Sequence, residues 1–283
     1  EMSGTFEEFA RTADAVAATS SRLEKVALLA GFLSSLEDAD LGAAALFFTG
    51  RALPANSGQV LGAGGAALSA AVHAVTRNPA GTLEAAYLRW SDAGDAVAAV
   101  WQANEGSGLS LAALGAHFQR LAAAPAGTAT MALLEELLRP MGAMEARYTA
   151  KILAGELRIG LQEGLVEEAL AKAFGHPLAR IRKAHQLAGN LGRVALAARH
   201  GTLELLDLAL FSPLKPMLAS PETSPEGVAL RMGGAELWVE DKFDGIDRLA
   251  DVLRWICVSN LLEEIESVAG EFFDGLLLLG LSS

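Results

Sequence analysis

The sequence is poor in cysteine, in aromatic residues and in positive charge. Its one cysteine, Cys257, excludes a disulfide within the 283-residue chain and is typical of a reducing compartment. Aromatic residues make up 6% of the chain and the formal net charge is -12, so a uniformly basic coat for polyanions is excluded. The start, EMSGTFEEF, has no basic segment with an apolar core, and the late run GLLLLGLSS is too short to span a bilayer. We therefore expect a soluble, cytoplasmic protein without a membrane partner.

Helical periodicity extends from Thr5 to about Leu206, in a chain whose apolar content of 52% is mostly alanine and leucine. In the first segment, apolar residues recur every three or four positions, at Phe6, Phe9, Ala13 and Val16, then at Leu23, Val26, Leu29, Phe32 and Leu33. Ser20 and Ser21 predict the start of a second helix, with Glu24 placed like the acid of a capping box. The stretch RALPANSGQVLGAGGAAL, with its proline and glycines, indicates a loop that leads into another helix.

Positive charge is concentrated in one segment. Between Ala169 and Leu203 there is no acidic residue, while the cations there are Lys172, Arg180, Arg182, Lys183, Arg193 and Arg199. Such a segment predicts a positive face that binds phosphates and releases them as salt rises. Just before it, Gly155 and Gly160 flank Arg158, and glycines there let backbone amides approach a phosphate closely. A solvated basic helix face with glycine caps is the alternative.

The composition changes after Gly201. The stretch FSPLKPMLASPETSPEGV holds four of the nine prolines and indicates an extended linker. Beyond it, AELWVEDKF and VLRWICVSN mix β-branched and aromatic residues, as strands do. We predict a multi-domain chain, with an all-α domain over 1–206, a linker over 207–220 and the start of an α+β domain over 221–283.

A lysine among acids follows a strand-like pair in WVEDKFDGIDR. Lys242 has Glu240, Asp241 and Asp244 around it and is followed by Gly245. A lysine amine is a nucleophile only when neutral, and its ordinary pKa is about 10.4, so burial, a cation or a metal has to lower that pKa. The carboxylates alone favour the ammonium form, and they fit a catalytic lysine only if they face other partners. An exposed strand end with a surface ion pair is the other interpretation.

Five segments together resemble the ATP-dependent DNA ligases. EDKFDGI resembles the Lys-x-Asp-Gly motif of nucleotidyl transfer, and FSPLKPMLA looks like the segment that leads into the catalytic domain of that family. ARYTAKILAGELRIGLQEGLVEEALAKAFG, followed by GNLGRVA, is similar to the helical DNA-binding domain of these ligases. FARTADAVAATSSRLEKVALLAGFL resembles the first two helices of that domain. The resemblance extends to Ile246 in the order of the family.

The resemblance implies a protein that seals nicks in duplex DNA, as a monomer, in replication, repair or recombination. Lys242 would be adenylated by ATP with Mg²⁺, Glu240 would help to select adenine, and Asp244 and Gly245 would shape the nucleotide loop together with Arg248. The residues implied to grip the DNA backbone are Arg158, Gly160, Arg180, Arg182, Lys183 and Arg193. No metal ligand is assigned to a residue of this sequence.

The sequence departs from the family pattern after Ile246. Asp247 stands where the family has arginine, so the role falls to Arg248 one place later, and Leu276 stands where a glutamate belongs after Asp274. The later lysine motifs and the oligonucleotide-binding (OB) fold domain are absent from the chain, so we expect this fragment alone to be inactive. A non-catalytic helical DNA-binding module with an inactive transferase remnant is the alternative. An RNA ligase or capping enzyme shares the lysine motif, but the long helical region argues against it.

Overall fold

Every regular element in the residues that the computed structural model describes, 4–102, 106–207 and 224–233, is a helix. The α-helices, in chain order, are α1 Phe6–Ala18, α2 Arg22–Ser35, α3 Asp38–Phe47, α4 Gly65–Thr76, α5 Thr82–Trp90, α6 Ala93–Val100, α7 Leu111–Ala123, α8 Thr128–Leu138, α9 Ala143–Leu153, α10 Glu163–Phe174, α11 Leu178–Ala188, α12 Leu191–His200 and α13 Pro225–Met232. Two short 3-10 helices, Ala55–Ser57 and Leu203–Leu205, lie among them. The predicted all-α character of the N-terminal region is confirmed.

The chain divides into two units, Glu1–Leu218 and Ala219–Ser283. Helix α13 is the described element of the second unit. The strand-like segments AELWVEDKF and VLRWICVSN lie outside the described residues, so the expected α+β domain stays a prediction, as do the domain limits at 206 and 221. Within the described ranges, no helix has both the length and the apolar character that a membrane crossing requires.

Five aromatic side chains gather in the core of the first unit. Phe9 is central, with ring centroids 4.4 Å from Phe48, 5.8 Å from Phe6, 6.1 Å from Phe47 and 6.2 Å from Tyr148. These five side chains are at most 1% exposed. Because they come from α1, α3 and its C-terminal cap, and α9, one aromatic cluster ties together helices that are distant in sequence.

Helix α2 buries a different set of residues from the predicted one. Val26, Leu29 and Leu33 are buried as expected, but Leu23 is 81% exposed and Lys25 is 7% exposed. Lys25 lies one turn before Leu29 on the same helix face, so that face begins with a buried cation instead of a leucine. The predicted burial of Leu23 in the apolar face of α2 was therefore wrong.

The predicted start of α2 is confirmed at Ser21. Its side chain accepts a hydrogen bond of 3.4 Å from the amide of Glu24. The Glu24 carboxylate does not complete a capping box, because it accepts a hydrogen bond of 2.6 Å from the Thr19 hydroxyl. A complete capping box instead opens α1, between Thr5 and Glu8.

Two packing arrangements bring the first helices against the basic segment. Helix α2 packs on α10, and α3 packs on α12. At the second crossing the backbones approach closely, because a Cβ on Gly192 would lie 2.6 Å from the carbonyl oxygen of Gly42. Because α2 packs on α10, the start of α2 lies next to the connection between α9 and α10.

Candidate nucleic-acid interface

The segment 154–162, between α9 and α10, alternates buried and exposed residues and is called the α9–α10 loop below. Leu157 and Ile159 are each 5% exposed, whereas Arg158 and Gly160 face solvent. Three of its residues have left-handed backbone, with φ of +79° at Gly155, +53° at Arg158 and +63° at Gly160. A left-handed residue with a side chain is disfavoured by about 1–2 kcal/mol, so the surroundings hold Arg158 in place.

Arg158 is anchored on one edge of its guanidinium group. Its Nε donates to Glu156 at 2.8 Å, and its Nη1 donates to the Ser91 carbonyl at 2.5 Å. The hydrogen bond and charge of Glu156 raise the pKa of Arg158 above its ordinary value. Among the described residues its Nη2 has no partner, which leaves two N–H groups able to donate to a phosphate.

A buried ion pair lies beneath Arg158. Lys151 and Asp92 are 3% and 7% exposed, and Lys151 Nζ lies 2.7 Å from the Asp92 carboxylate and 3.6 Å from that of Asp95. The Asp92 carboxylate is itself 4.0 Å from Arg158 Nε. Asp92, Lys151 and Arg158 line a depression of about 210 Å³. Burial alone raises the pKa of Asp92, but hydrogen bonds from Lys151 and the Asp95 amide, with the charges of Lys151 and Arg158, lower it below its ordinary value.

Lys25 contacts the other end of the α9–α10 loop. Its Nζ donates to the carbonyl of Ile159 at 2.8 Å and to that of Gly160 at 3.0 Å. Lys25, Gly160 and Arg182 line one depression of about 370 Å³, which also contains Arg22 and Glu168. The structure therefore brings the predicted residues Gly160 and Arg182 together and adds Lys25 to them.

Three of the six lysines and arginines of the acid-free segment are paired with acids from outside it. Arg180 contacts Glu204 at 3.0 Å, and Arg182 lies 3.4 Å from Glu167 and 3.7 Å from Glu168. Three more contacts follow the same pattern, namely Arg199–Asp38 at 3.1 Å, His200–Asp38 at 2.6 Å and His185–Glu167 at 2.7 Å. The predicted positive face is thus narrower than the sequence suggests.

Three cations of this segment keep an unneutralised charge at the surface. Lys172, Lys183 and Arg193 are exposed, and none has a carboxylate oxygen within 4.0 Å in the described part of the chain. Arg193 lies in the first turn of α12, where its amide donates to the Asn190 side chain at 3.1 Å. Of the five cations predicted to contact DNA, Lys183 and Arg193 are the ones without an acidic partner there.

Sequence reasoning did not single out Lys25, Asp92 or Lys151. A signal existed for Lys25, since it falls in register with Leu29 and Leu33 on a helix face that is otherwise apolar. The predicted catalytic lysine, Lys242, lies outside the described residues, as do Glu240, Asp244, Gly245 and Arg248. Their roles stay predictions.

Comparisons with known proteins agree on the class of this helical region. Residues 5–171 match the family model described as DNA ligase N terminus, and this range includes α1 to α9 and the α9–α10 loop. The chain belongs to the DNA ligase family, and the resemblance predicted from its motifs is confirmed.

Three curated relatives carry the same name over most of the chain. They are a probable DNA ligase of Opitutus terrae, 35% identical over 86% of this chain and 30% of its own length, and a probable DNA ligase of Koribacter versatilis, 38% identical over 87% and 42%. A DNA ligase of Methanosphaerula palustris is 36% identical over 85% of this chain and 45% of its own length. The chain thus spans less than half the length of these relatives.

Proposed function

We propose that this chain is the N-terminal part of an ATP-dependent DNA ligase and that its first unit holds nicked duplex DNA through the phosphate backbone. The observation that carries the proposal is the match of residues 5–171 to the DNA ligase N terminus, which contains the exposed α9–α10 loop. The proposed contacts are Arg158, Gly160, Arg180, Arg182, Lys183 and Arg193.

The chemistry of these residues favours phosphates over bases. Arginine and lysine side chains and the backbone amides of a glycine-containing loop before a helix are donors that suit phosphate oxygens. Helix α10 begins without a side-chain cap, and the amide of Leu165 donates to the Gln162 carbonyl, so the amides of Glu163 and Gly164 are available as well. Contacts of this kind fix the position of a duplex without reading its sequence, which suits an enzyme that acts on nicks of any sequence.

For catalysis we propose adenylation of Lys242. Its neutral amine attacks the α-phosphorus of ATP, the bond to pyrophosphate breaks, and the amine loses a proton to give a lysyl-AMP phosphoramidate. AMP then passes to the 5′-phosphate at the nick, and the 3′-hydroxyl displaces AMP to form the phosphodiester bond. Mg²⁺, when bound, would neutralise negative charge on the phosphates of ATP. Glu240 selects adenine, while Asp244, Gly245 and Arg248 shape the nucleotide site.

One feature favours a second candidate function. Leu276 stands where the family motif has a glutamate, so a DNA-binding module without transfer activity is the alternative. The two functions differ in whether the protein becomes covalently labelled by ATP.

The test is adenylation of the full-length protein. Incubated with α-labelled ATP and Mg²⁺, the wild type is expected to acquire covalent label that survives denaturing electrophoresis and is released by acid, as a phosphoramidate is. Lys242→Ala is expected to lose all of this label because the nucleophile is gone. Lys172→Ala, the same change at an exposed lysine outside the proposed nucleotide site, is the control and is expected to keep the label. Label that persists in Lys242→Ala contradicts the assignment of the nucleophile, and its absence from the wild type supports the non-catalytic module.

A further inference from the structure

Lys25 is a buried cation without a counter-ion in the described residues. The residue is 7% exposed, and no described carboxylate oxygen lies within 4.0 Å of its Nζ. Its two hydrogen bonds go to neutral carbonyls, those of Ile159 and Gly160. A buried charge that is not balanced by an opposite charge is costly, and it adds positive potential to the surface above it.

The two carbonyls determine where the neighbouring amides point. In a trans peptide group the C=O and the N–H point in opposite directions, and the described chain has no cis peptide bond. The carbonyl of Ile159 faces Lys25, so the amide of Gly160 faces away from it, and the carbonyl of Gly160 turns the amide of Leu161 away in the same manner. Neither amide donates a hydrogen bond within the described residues.

Gly160 and Lys25 fit each other sterically. A Cβ on residue 160 would lie 2.8 Å from Lys25 Nζ, and the φ of +63° at Gly160 disfavours a side chain as well. Replacing Gly160 or Lys25 therefore disturbs the same hydrogen bonds, those from Lys25 to the carbonyls of Ile159 and Gly160.

We propose that Lys25 is the positioning residue of the α9–α10 loop. Its ammonium group holds the peptide groups at 159–161 with their amides outward to receive a DNA phosphate, and its uncompensated charge increases the attraction for that phosphate. The proposal rests on the proposed function of the loop. It adds a residue of α2, 134 positions away from its partner Ile159, to the DNA-binding apparatus.

The test is Lys25→Met in the full chain, because methionine keeps an apolar stem and removes the ammonium group. We expect unchanged helical circular dichroism and a roughly tenfold weaker affinity for a nicked duplex, as loss of a charge-assisted hydrogen bond predicts. We also expect the slope of log affinity against log salt to fall by up to about 1, because the variant removes one cation whose charge adds to the positive potential at the loop. Arg11→Gln, which removes an exposed charge paired with Glu7 on α1, is the control and is expected to bind within twofold of the wild type.

If Lys25 only stabilised the fold, the slope of log affinity against log salt would not change in Lys25→Met. A change in this slope therefore shows that the charge of Lys25 acts on DNA binding. In the double variant Lys25→Met/Arg158→Ala, we expect a smaller loss than the product of the single losses, since both residues act through one loop. A folded Lys25→Met with wild-type affinity and slope overturns the proposal. If that variant does not fold, Gly160→Ala is expected to show the loss of affinity with an unchanged salt slope, because it disturbs the same hydrogen bonds and removes no charge, and wild-type affinity of this variant overturns the proposal. Failure of the wild type itself to bind duplex DNA contradicts the proposed function instead.

Discussion

At the scale of single residues, buried charges hold the exposed arginine of the α9–α10 loop in place. Arg158 has a left-handed backbone, and its guanidinium group reaches Ser91 and Glu156 while lying 4.0 Å from Asp92. Asp92 is in turn held by Lys151 of α9. The position of Arg158 therefore depends on a pair of charges that do not reach the surface themselves.

Asp92→Asn tests the strength of this arrangement. The variant leaves Lys151 with Asp95 at 3.6 Å as its remaining acid, so we expect a loss of about 3 kcal/mol in the free energy of unfolding at pH 7, at the low end for a broken buried pair. The pKa of Asp92 is lowered in the folded state, so its stabilisation is present above the unfolded pKa of about 3.9 and is lost as pH falls through the folded pKa. Urea unfolding at pH 7 and pH 3 measures both effects, and the difference between wild type and variant is expected to shrink at pH 3.

Glu136→Gln is the matched control for that variant. Glu136 pairs with Arg120 at 2.8 Å, but the two side chains are 56% and 52% exposed, so solvent screens the pair. We therefore expect a much smaller loss in the free energy of unfolding than for Asp92→Asn. Equal losses from the two variants would show that the Asp92–Lys151 pair is no stronger than a surface contact.

The sequence indicates the glycines of the α9–α10 loop but does not indicate the contact of Lys25 with this loop, for a physical reason. The sequence singles out Gly155 and Gly160 because glycines let backbone amides approach a phosphate closely, and the structure shows left-handed backbone at both and at Arg158 between them. Lys25 is not predictable as a loop contact, because its partner Ile159 is 134 positions away and nothing local couples the two. A buried lysine on an apolar face indicates that a partner exists, but only the tertiary packing identifies it.

At the scale of elements, the crossing of α3 and α12 positions the basic helices. Gly192 lies in the first turn of α12, one residue before Arg193, and at this crossing the two backbones are in contact. The carbonyl of Gly42 would be 2.6 Å from a Cβ at position 192, and a backbone atom in a helix cannot move aside easily. The small residue therefore determines how closely α12 approaches α3.

Gly192→Ala is expected to destabilise the protein although alanine favours helices. Alanine gains up to about 1 kcal/mol in helix propensity, but the backbone clash costs typically 1–3 kcal/mol, and we expect a net loss. Gly31→Ala is the matched control, since Gly31 is exposed within α2 and a Cβ there meets nothing within 4 Å. The urea midpoint is expected to fall for the first variant and to rise slightly for the second. A rise for both would mean that the crossing has room for a methyl group.

Periodicity predicts helices better than it predicts their register. Phe6, Phe9, Ala13 and Val16 of α1 are all fully buried, as their spacing indicates. In α2 the same reasoning placed Leu23 in the core, where it is 81% exposed. The error arises because hydrogen-bond acceptors from the α9–α10 loop make burial of Lys25 possible, and a pattern of apolar residues does not contain that information.

At the scale of the whole molecule, the distribution of charge decides where a polyanion can bind. The formal net charge is -12, and the acids that pair with the basic segment come from other parts of the chain, such as Asp38 and Glu204. Ion pairing across elements cannot be predicted from a count of charges within one segment. The structure therefore separates the cations with acidic partners from those without.

Lys183→Ala/Arg193→Ala is expected to weaken binding to nicked duplex DNA more than Arg180→Ala/Arg182→Ala does. The first pair has no acidic partner in the described ranges, so each lost phosphate contact reduces the slope of log affinity against log salt by about 0.9, or about 1.8 for both. Arg180 has to leave Glu204 before it can reach a phosphate, and Arg182 has to leave Glu167 and Glu168. Breaking these ion pairs offsets part of the binding free energy that the phosphate contacts contribute. Fluorescence anisotropy across a salt series measures both quantities, and the two variants carry the same change of charge. A larger loss from Arg180→Ala/Arg182→Ala would show that these surface pairs open on binding, and that the DNA lies over the start of α11 instead of the start of α12.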